Sequence, residues 1–212
     1  MMNKAPGRSP RIIGLTGTIC AGKNFVAGLL EERGLPVLDV DKLAYQAVEA
    51  GREAIIARFG GDILEPGGTI DRRRLGEKVF GKPEELAALE AIVHPGANRL
   101  TDTWIAGRQE AACVINAALL HRSSAFGRLD FILLVRAPFL TRLLRARKRD
   151  HLPWLALLKR FDSQRNFTAQ YSGGKADIYN IDNRGCLLSG SRHFQKKLET
   201  RIDQILSGER IR

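Results

Sequence analysis

The 212 residues include only three cysteines and four histidines, and no set of them has zinc-ligand spacing. Cys20, Cys113 and Cys186 lie far apart with no Cys-x-x-Cys, which excludes a dithiol redox motif and a disulfide framework. That usage fits a reducing, cytoplasmic setting. No apolar run approaches the roughly 20 positions of a membrane-crossing helix, so no membrane partner is expected. Aromatics make up 7% and the basic residues are spread along the whole chain, so no stacking platform for nucleic acid is evident. There is no internal repeat and no low-complexity segment. Lys4, Arg8 and Arg11 ahead of an apolar stretch ending at Cys20 resemble a signal sequence only superficially. Gly14, Thr16 and Gly17 interrupt the stretch, and Ile19 is too large for the processing position. Residues 1–10, with two prolines, read as a flexible tail.

Acidic charge is also scarce. Asp and Glu number 23 against 34 Lys and Arg, for a net charge of +11. Such a balance favours anionic partners such as nucleotides. The hydrophobic content of 44% is that of a packed globular protein, and the length suits one α/β domain with an insertion.

Against this background, residues 17–24, Gly-Thr-Ile-Cys-Ala-Gly-Lys-Asn, stand out. They follow the phosphate-loop pattern of a glycine, four variable positions, Gly-Lys and a hydroxyl residue, except that Asn24 replaces the Ser or Thr. Glycines let the backbone curl so that successive N–H groups meet one anion, and the lysine adds charge over the outer phosphates. The hydroxyl normally holds Mg²⁺. An apolar run at 11–15 precedes the loop as a buried strand, and Phe25, Val26, Leu29 and Leu30 follow at helical spacing, with Gly34 as a stop. Strand, Gly-rich turn and helix together set a helix N-terminus against phosphates.

Further strands are expected at 36–41, 113–120, 131–135 and 176–181, and helices at 43–59, from 71, at 83–107 with Pro95 breaking the pattern, at 139–149, at 152–167 and over the last apolar series from Phe194 to Leu206. In the 139–149 helix, Leu140, Leu143 and Leu144 should face inward. Five short apolar strands alternating with helices predict an α/β fold, a parallel sheet flanked by helices with its ligand at the carboxyl ends of the strands. Residues 11–60, 110–149 and 176–212 read as the core, 61–109 as a helical substrate-side insertion and 150–175 as a lid.

A phosphate loop needs an acceptor and a group to orient it. Asp41, read as ending the second strand, is the candidate to take the proton of an attacking hydroxyl, with helix capping as its structural alternative. Asp39 has the same chemistry but reads as buried along the strand. Arg142, Arg145 and Arg149 share a helix face and could neutralise developing charge, or form a solvated basic face. His94 reads more readily as a hydrogen-bonded structural residue than as a catalyst, and His121, His151 and His193 have no partner pattern.

The chain resembles the dephospho-coenzyme A kinases, phosphate-loop enzymes of the nucleoside-monophosphate-kinase type. The resemblance is carried by Leu15-Thr16-Gly17, Asp39-Val40-Asp41 with Lys42-Leu43-Ala44, Phe59-Gly60, Ile63-Leu64, Gly68, Asp71-Arg72, Leu75 and Val79-Phe80. It continues through His94-Pro95, Leu119-Leu120, Arg145, Arg149-Asp150, Gln164, Ala176-Asp177, Ile181-Asp182-Asn183 and Gly185. It implies transfer of the ATP γ-phosphate to the ribose 3′-hydroxyl of dephospho-CoA, on a five-stranded parallel core with a helical CoA-binding part and a lid. By resemblance, Lys23 with Gly17, Cys20, Ala21, Gly22, Asn24 and Phe25 forms the ATP site, and Asn183 lies toward the adenine. Asp41 is the base, Arg145 and Arg149 are the lid-side arginines, and Arg72 and His94 fall on the dephospho-CoA side. Mg²⁺ would fall to Asn24, whose amide oxygen is a weaker ligand than the usual arrangement.

Four positions depart from the family pattern. Asn24 replaces the hydroxyl, Tyr45 an arginine, Ala118 a proline and Arg122 a glutamate. A catalytically impaired or repurposed nucleotide- or CoA-binding protein therefore stands as the alternative reading.

Overall fold

The computed structural model describes residues 10–162, 164, 167–171, 175–184 and 191–208. Gly185 and Cys186, and all but the last residue of the expected 1–10 tail, lie outside these. The chain divides into two compact units, residues 1–38 with 108–212, and residues 39–107.

The first unit is built on one five-stranded sheet of β1 (Arg11–Gly17), β2 (Val37–Asp39), β3 (Ala112–Asn116), β4 (Phe131–Arg136) and β5 (Asp177–Asp182), in the order β2-β3-β1-β4-β5. β1 pairs in parallel with β3 and β4, and β4 with β5. All five residues of β3 and five of the six in β4 are buried, as strands covered on both faces require. One core layer joins Ile13, Leu15, Val114, Leu133 and Val135 of the sheet to Val26, Leu29 and Leu30 of α1 (Lys23–Glu31). Leu198, Ile202 and Ile205 of the last helix, α8 (Ser191–Ser207), complete the layer. Phe194, expected in this inward series, is 44% exposed, so the buried stripe starts one turn later.

The parallel α/β architecture holds, but several boundaries move. β3 stops at Asn116 and does not reach Leu120. Leu120 opens a 3-10 turn (Leu120–Arg122) and fills the place of a side chain at Gly14, where a Cβ would lie 2.6 Å from Leu120 Cδ2. In α6 (Phe139–Asp150) only Leu143 of the three predicted leucines is buried, and Leu140 is 65% exposed. The helix expected over 152–167 is α7 (Trp154–Asp162), followed by a 3-10 turn (Thr168–Tyr171). Leu143 and Ala146 of α6 pack with Leu157 and Phe161 of α7, and Ile19 and Cys20 of the loop lie against this cluster.

The second unit is helical: α2 (Val40–Ala50), α3 (Arg52–Phe59), α4 (Arg72–Val79) and α5 (Pro83–Ala106). The expected 43–59 helix is thus two helices parted at Gly51. The second strand ends at Asp39, because Asp39 caps α2 by accepting from Lys42 N–H at 3.3 Å. Asp41 consequently sits in the first helical turn and not on a strand. Asp71 caps α4, accepting from Arg73 and Arg74 N–H at 2.9 and 3.1 Å. Those bonds hold its carboxyl below the usual range. Pro95 does not break α5. Val93 and Ala97 on either side of it are packed into the unit's core with Ala47, Ile55, Phe59 and Leu75, which offsets the lost backbone bond.

Burial pushes the Cys113 thiol on β3 up to about 11. A folded-state value above the unfolded one makes the contribution intact below the ordinary value of 9.0, and progressively lost as pH rises through about 11. In urea titrations the stability gap between wild type and Cys113→Ala should therefore narrow by up to about 3 kcal/mol as pH rises across that window. A gap that does not change with pH would contradict it. Leu133→Ala, fully buried in β4, should cost about 2–5 kcal/mol by the same measurement, and Leu140→Ala less than about 0.5.

Candidate active site

β1 delivers the chain directly into the loop, and the two glycines of the motif are demanded by different constraints. Gly17 lies against β4, where a Cβ would stand 2.7 Å from the Val135 carbonyl oxygen. Gly22 has φ +94°, and a Cβ there would sit 2.1 Å from Asn183 Nδ2. Only glycine meets both conditions at position 22. Between them the backbone curls, with Ala21 N–H donating to Thr18 O at 3.0 Å and Cys20 at φ 57°. Ile19 N–H donates to Gln164 Oε1 at 2.8 Å, which ties the loop to the segment after α7. Lys23 and Asn24 then open α1. Gly22 supplies no capping side chain, and no acid occupies the first turn. The positive dipole end of α1 therefore meets the loop with no acid of its own first turn against it.

Two residues from distant sequence hold this curl. Asn183, just past β5 and buried, donates its backbone N–H to Arg136 O at 2.7 Å and its Nδ2 to Ala21 O at 2.8 Å. Arg145 of α6 donates Nη1 to Ala21 O at 3.2 Å, Cys20 O at 3.4 Å and Asn183 O at 3.5 Å. Burial pulls the Arg145 guanidinium downward, though a guanidinium stays charged in proteins. The Cys20 thiol is raised by burial and opposed chiefly by Arg149, which places that arginine's charge within range of the loop. Arg149 also donates to Asp150 at 2.6 and 2.9 Å, and Arg160 of α7 donates to the same carboxylate at 2.9 Å. Asp150 is held below the usual carboxylate range, mainly by Arg149.

Asn24 is exposed at the head of α1, and its Oδ1 accepts from Asn116 Nδ2 at 3.5 Å. Asn116 ends β3, pairs in register with Leu15 and is 2% exposed. Its own Oδ1 is buried without a hydrogen-bond partner. Phosphate-loop enzymes hold Mg²⁺ with the loop hydroxyl and an aspartate. Here position 24 and the side chain facing it from the neighbouring strand are both neutral amides. Among the described residues no group of three or more His, Cys, Asp or Glu is placed to hold a metal. This donor set does not fit a magnesium ion held by protein anions.

Asp41, Arg72 and His94 belong to the second unit. Asp41 is exposed in the first turn of α2, and His94 is half-buried in α5. The Arg72 guanidinium lies 3.7 Å from the centroid of the Tyr45 ring, so the tyrosine that departs from the family pattern stacks on a residue expected at the substrate.

A family model described as dephospho-CoA kinase matches residues 11–185. The chain belongs to the dephospho-CoA kinase family. The dephospho-CoA kinase of Geobacter metallireducens is 38% identical over 199 residues, covering 91% of this chain and 98% of that protein. That of Shouchella clausii is 38% identical over 180 residues, 82% of this chain and 89% of its own. A crystal structure from Thermus thermophilus superposes with a TM-score of 0.77 at 33% identity, covering 95% of this chain and 99% of that one.

Within this dephospho-CoA kinase family member, the structure brings the loop, Arg145 and Asn183 together, with the charge of Arg149 nearby. Gln164 and Asn116 also reach the loop, and reasoning from residues alone gave neither a role. Gln164 appears in the family resemblance, which was its one signal. Asn116 has none, because its contact with Asn24 spans 92 positions. Gly22→Ala should displace the loop backbone and weaken ATP binding by about 10²-fold, measured by calorimetry. An unchanged affinity would mean that the curl does not hold the nucleotide.

Proposed function

We infer that this chain is an ATP-dependent phosphotransferase that carries the γ-phosphate of ATP to the ribose 3′-hydroxyl of dephospho-CoA, the last step of coenzyme A synthesis. The observation that supports this most is the family match over residues 11–185 on a loop whose Gly22 is fixed in the left-handed conformation. Gly17 and residues 20–25 take the phosphates, with Lys23 adding charge over the outer ones. Arg145 and Arg149 offset the charge that develops on the transferred group. Asn183 keeps the loop shaped beside the nucleotide. Asp41 accepts the proton of the 3′-hydroxyl, and its exposure suits an acid that must meet an incoming alcohol. Arg72 and His94 bind dephospho-CoA on the helical unit, and α7 belongs to the lid. The family's activity brings Mg²⁺ as the triphosphate's usual counter-ion. No helix of the described residues is long and apolar enough to cross a membrane. The unpaired thiols of Cys20 and Cys113 suit a cytoplasmic setting.

A nucleotide- or CoA-binding protein without turnover is the second reading, favoured by the amide pair Asn24–Asn116. One assay separates the two. With ATP, Mg²⁺ and dephospho-CoA, CoA should form, and Lys23→Ala or Asp41→Asn should each lower kcat by about 10²–10⁴-fold. Full activity in both variants would remove the mechanism. Protection against heat by ATP with no product formed would establish the second reading.

A further inference from the structure

At the phosphate loop, position 24 and the side chain facing it offer no anion to a divalent cation. Position 24 offers an amide where the loop's hydroxyl belongs, and the side chain that reaches it from the end of β3 is Asn116. A carboxylate at the end of β3 would have two effects. It would help bind a metal, and it would repel the phosphates unless a cation stood between them. The amide does neither. Its Nδ2 is occupied by Asn24 Oδ1 at 3.5 Å, and its buried Oδ1 carries a dipole but no charge. The positive groups outnumber the acid beside them: Lys23 at the head of α1, Arg145 bonded to the carbonyls of Cys20 and Ala21, and Arg149 and Arg160 sharing the one carboxylate of Asp150. The balance of charge around the loop is therefore shifted toward cation without any metal.

We propose that the Asn24–Asn116 amide pair uncouples nucleotide capture from divalent cation: the loop binds the triphosphate equally well with or without Mg²⁺, and the metal is held by the nucleotide's own oxygens. This rests on the phosphate-loop reading above. Because it concerns binding, it holds for either reading of the protein's turnover.

The test is a calorimetric titration of the full chain with a non-hydrolysable ATP analogue, once in excess Mg²⁺ and once in EDTA. The two Kd values should agree within about threefold, below the 5–150-fold typical of coupled ligands. Tightening by Mg²⁺ of about tenfold or more in the wild type would overturn the proposal. Mn²⁺ alone, followed by its electron paramagnetic resonance, should show no saturable site on the nucleotide-free protein, and such a site would likewise overturn it. The cause is tested by Asn116→Asp and by Asn24→Ser/Asn116→Asp. Both should weaken metal-free binding and restore a dependence on Mg²⁺ of about tenfold. A folded Asn116→Asp, judged by circular dichroism, that stays metal-independent would show that the amide is not responsible. Should the buried carboxylate prevent folding, the wild-type comparison decides on its own. Failure of the analogue to bind in either buffer would remove the phosphate-loop reading itself, and this proposal with it.

Discussion

The curl of residues 17–24 depends on how its carbonyl groups are satisfied. A backbone that turns its N–H groups toward an anion must direct carbonyl oxygens elsewhere, and buried carbonyls need donors. Asn183 Nδ2 and Arg145 Nη1 supply them at Ala21 and Cys20. The same contact explains the glycine, since the amide nitrogen of Asn183 occupies the space that a side chain at position 22 would need. The sheet then makes the clamp possible. Asn183 follows directly from β5, and its N–H is fixed by Arg136 at the end of β4, the strand beside β1. Removing Asn183 would leave the Ala21 carbonyl to Arg145 alone, and removing Arg145 would take the Cys20 carbonyl's donor away.

Charge around the loop is organised by pairing and spacing. Arg149 and Arg160 share Asp150, which keeps two cations of adjacent helices oriented while leaving the cluster net positive. Arg145 has instead the carbonyls of the loop itself. The result is a cationic surround in which position 24 and its facing side chain are uncharged. In the helical unit a different economy applies. Asp39 and Asp71 are committed to helix caps, while Asp41, two positions on from the first cap, is exposed.

Short-range physics made much of this legible. The alternation of apolar runs with helical periodicities gave the strand count and the α/β class, because strands buried on both faces must be nearly continuous in apolar residues. The loop was legible because left-handed backbone selects glycine. Where the reading slipped, a tertiary contact had overridden local pattern. Leu120 reads as strand but packs over Gly14. Pro95 reads as a break, but Val93 and Ala97 hold α5 together around it. Asp41 reads as the end of a strand, yet Asp39 starts the helix one turn earlier by capping it.

By itself the sequence determined the elements, the phosphate loop and the basic charge, since each is written in neighbouring residues or in composition. Tertiary structure alone decided which side chains serve the loop. Asn183, Arg145, Gln164 and Asn116 reach it from 92 to 162 positions away. No local period encodes such distances. Only the order in which β3 and β4 flank β1, with β5 beyond β4, brings those residues to the loop at the carboxyl edge of one sheet.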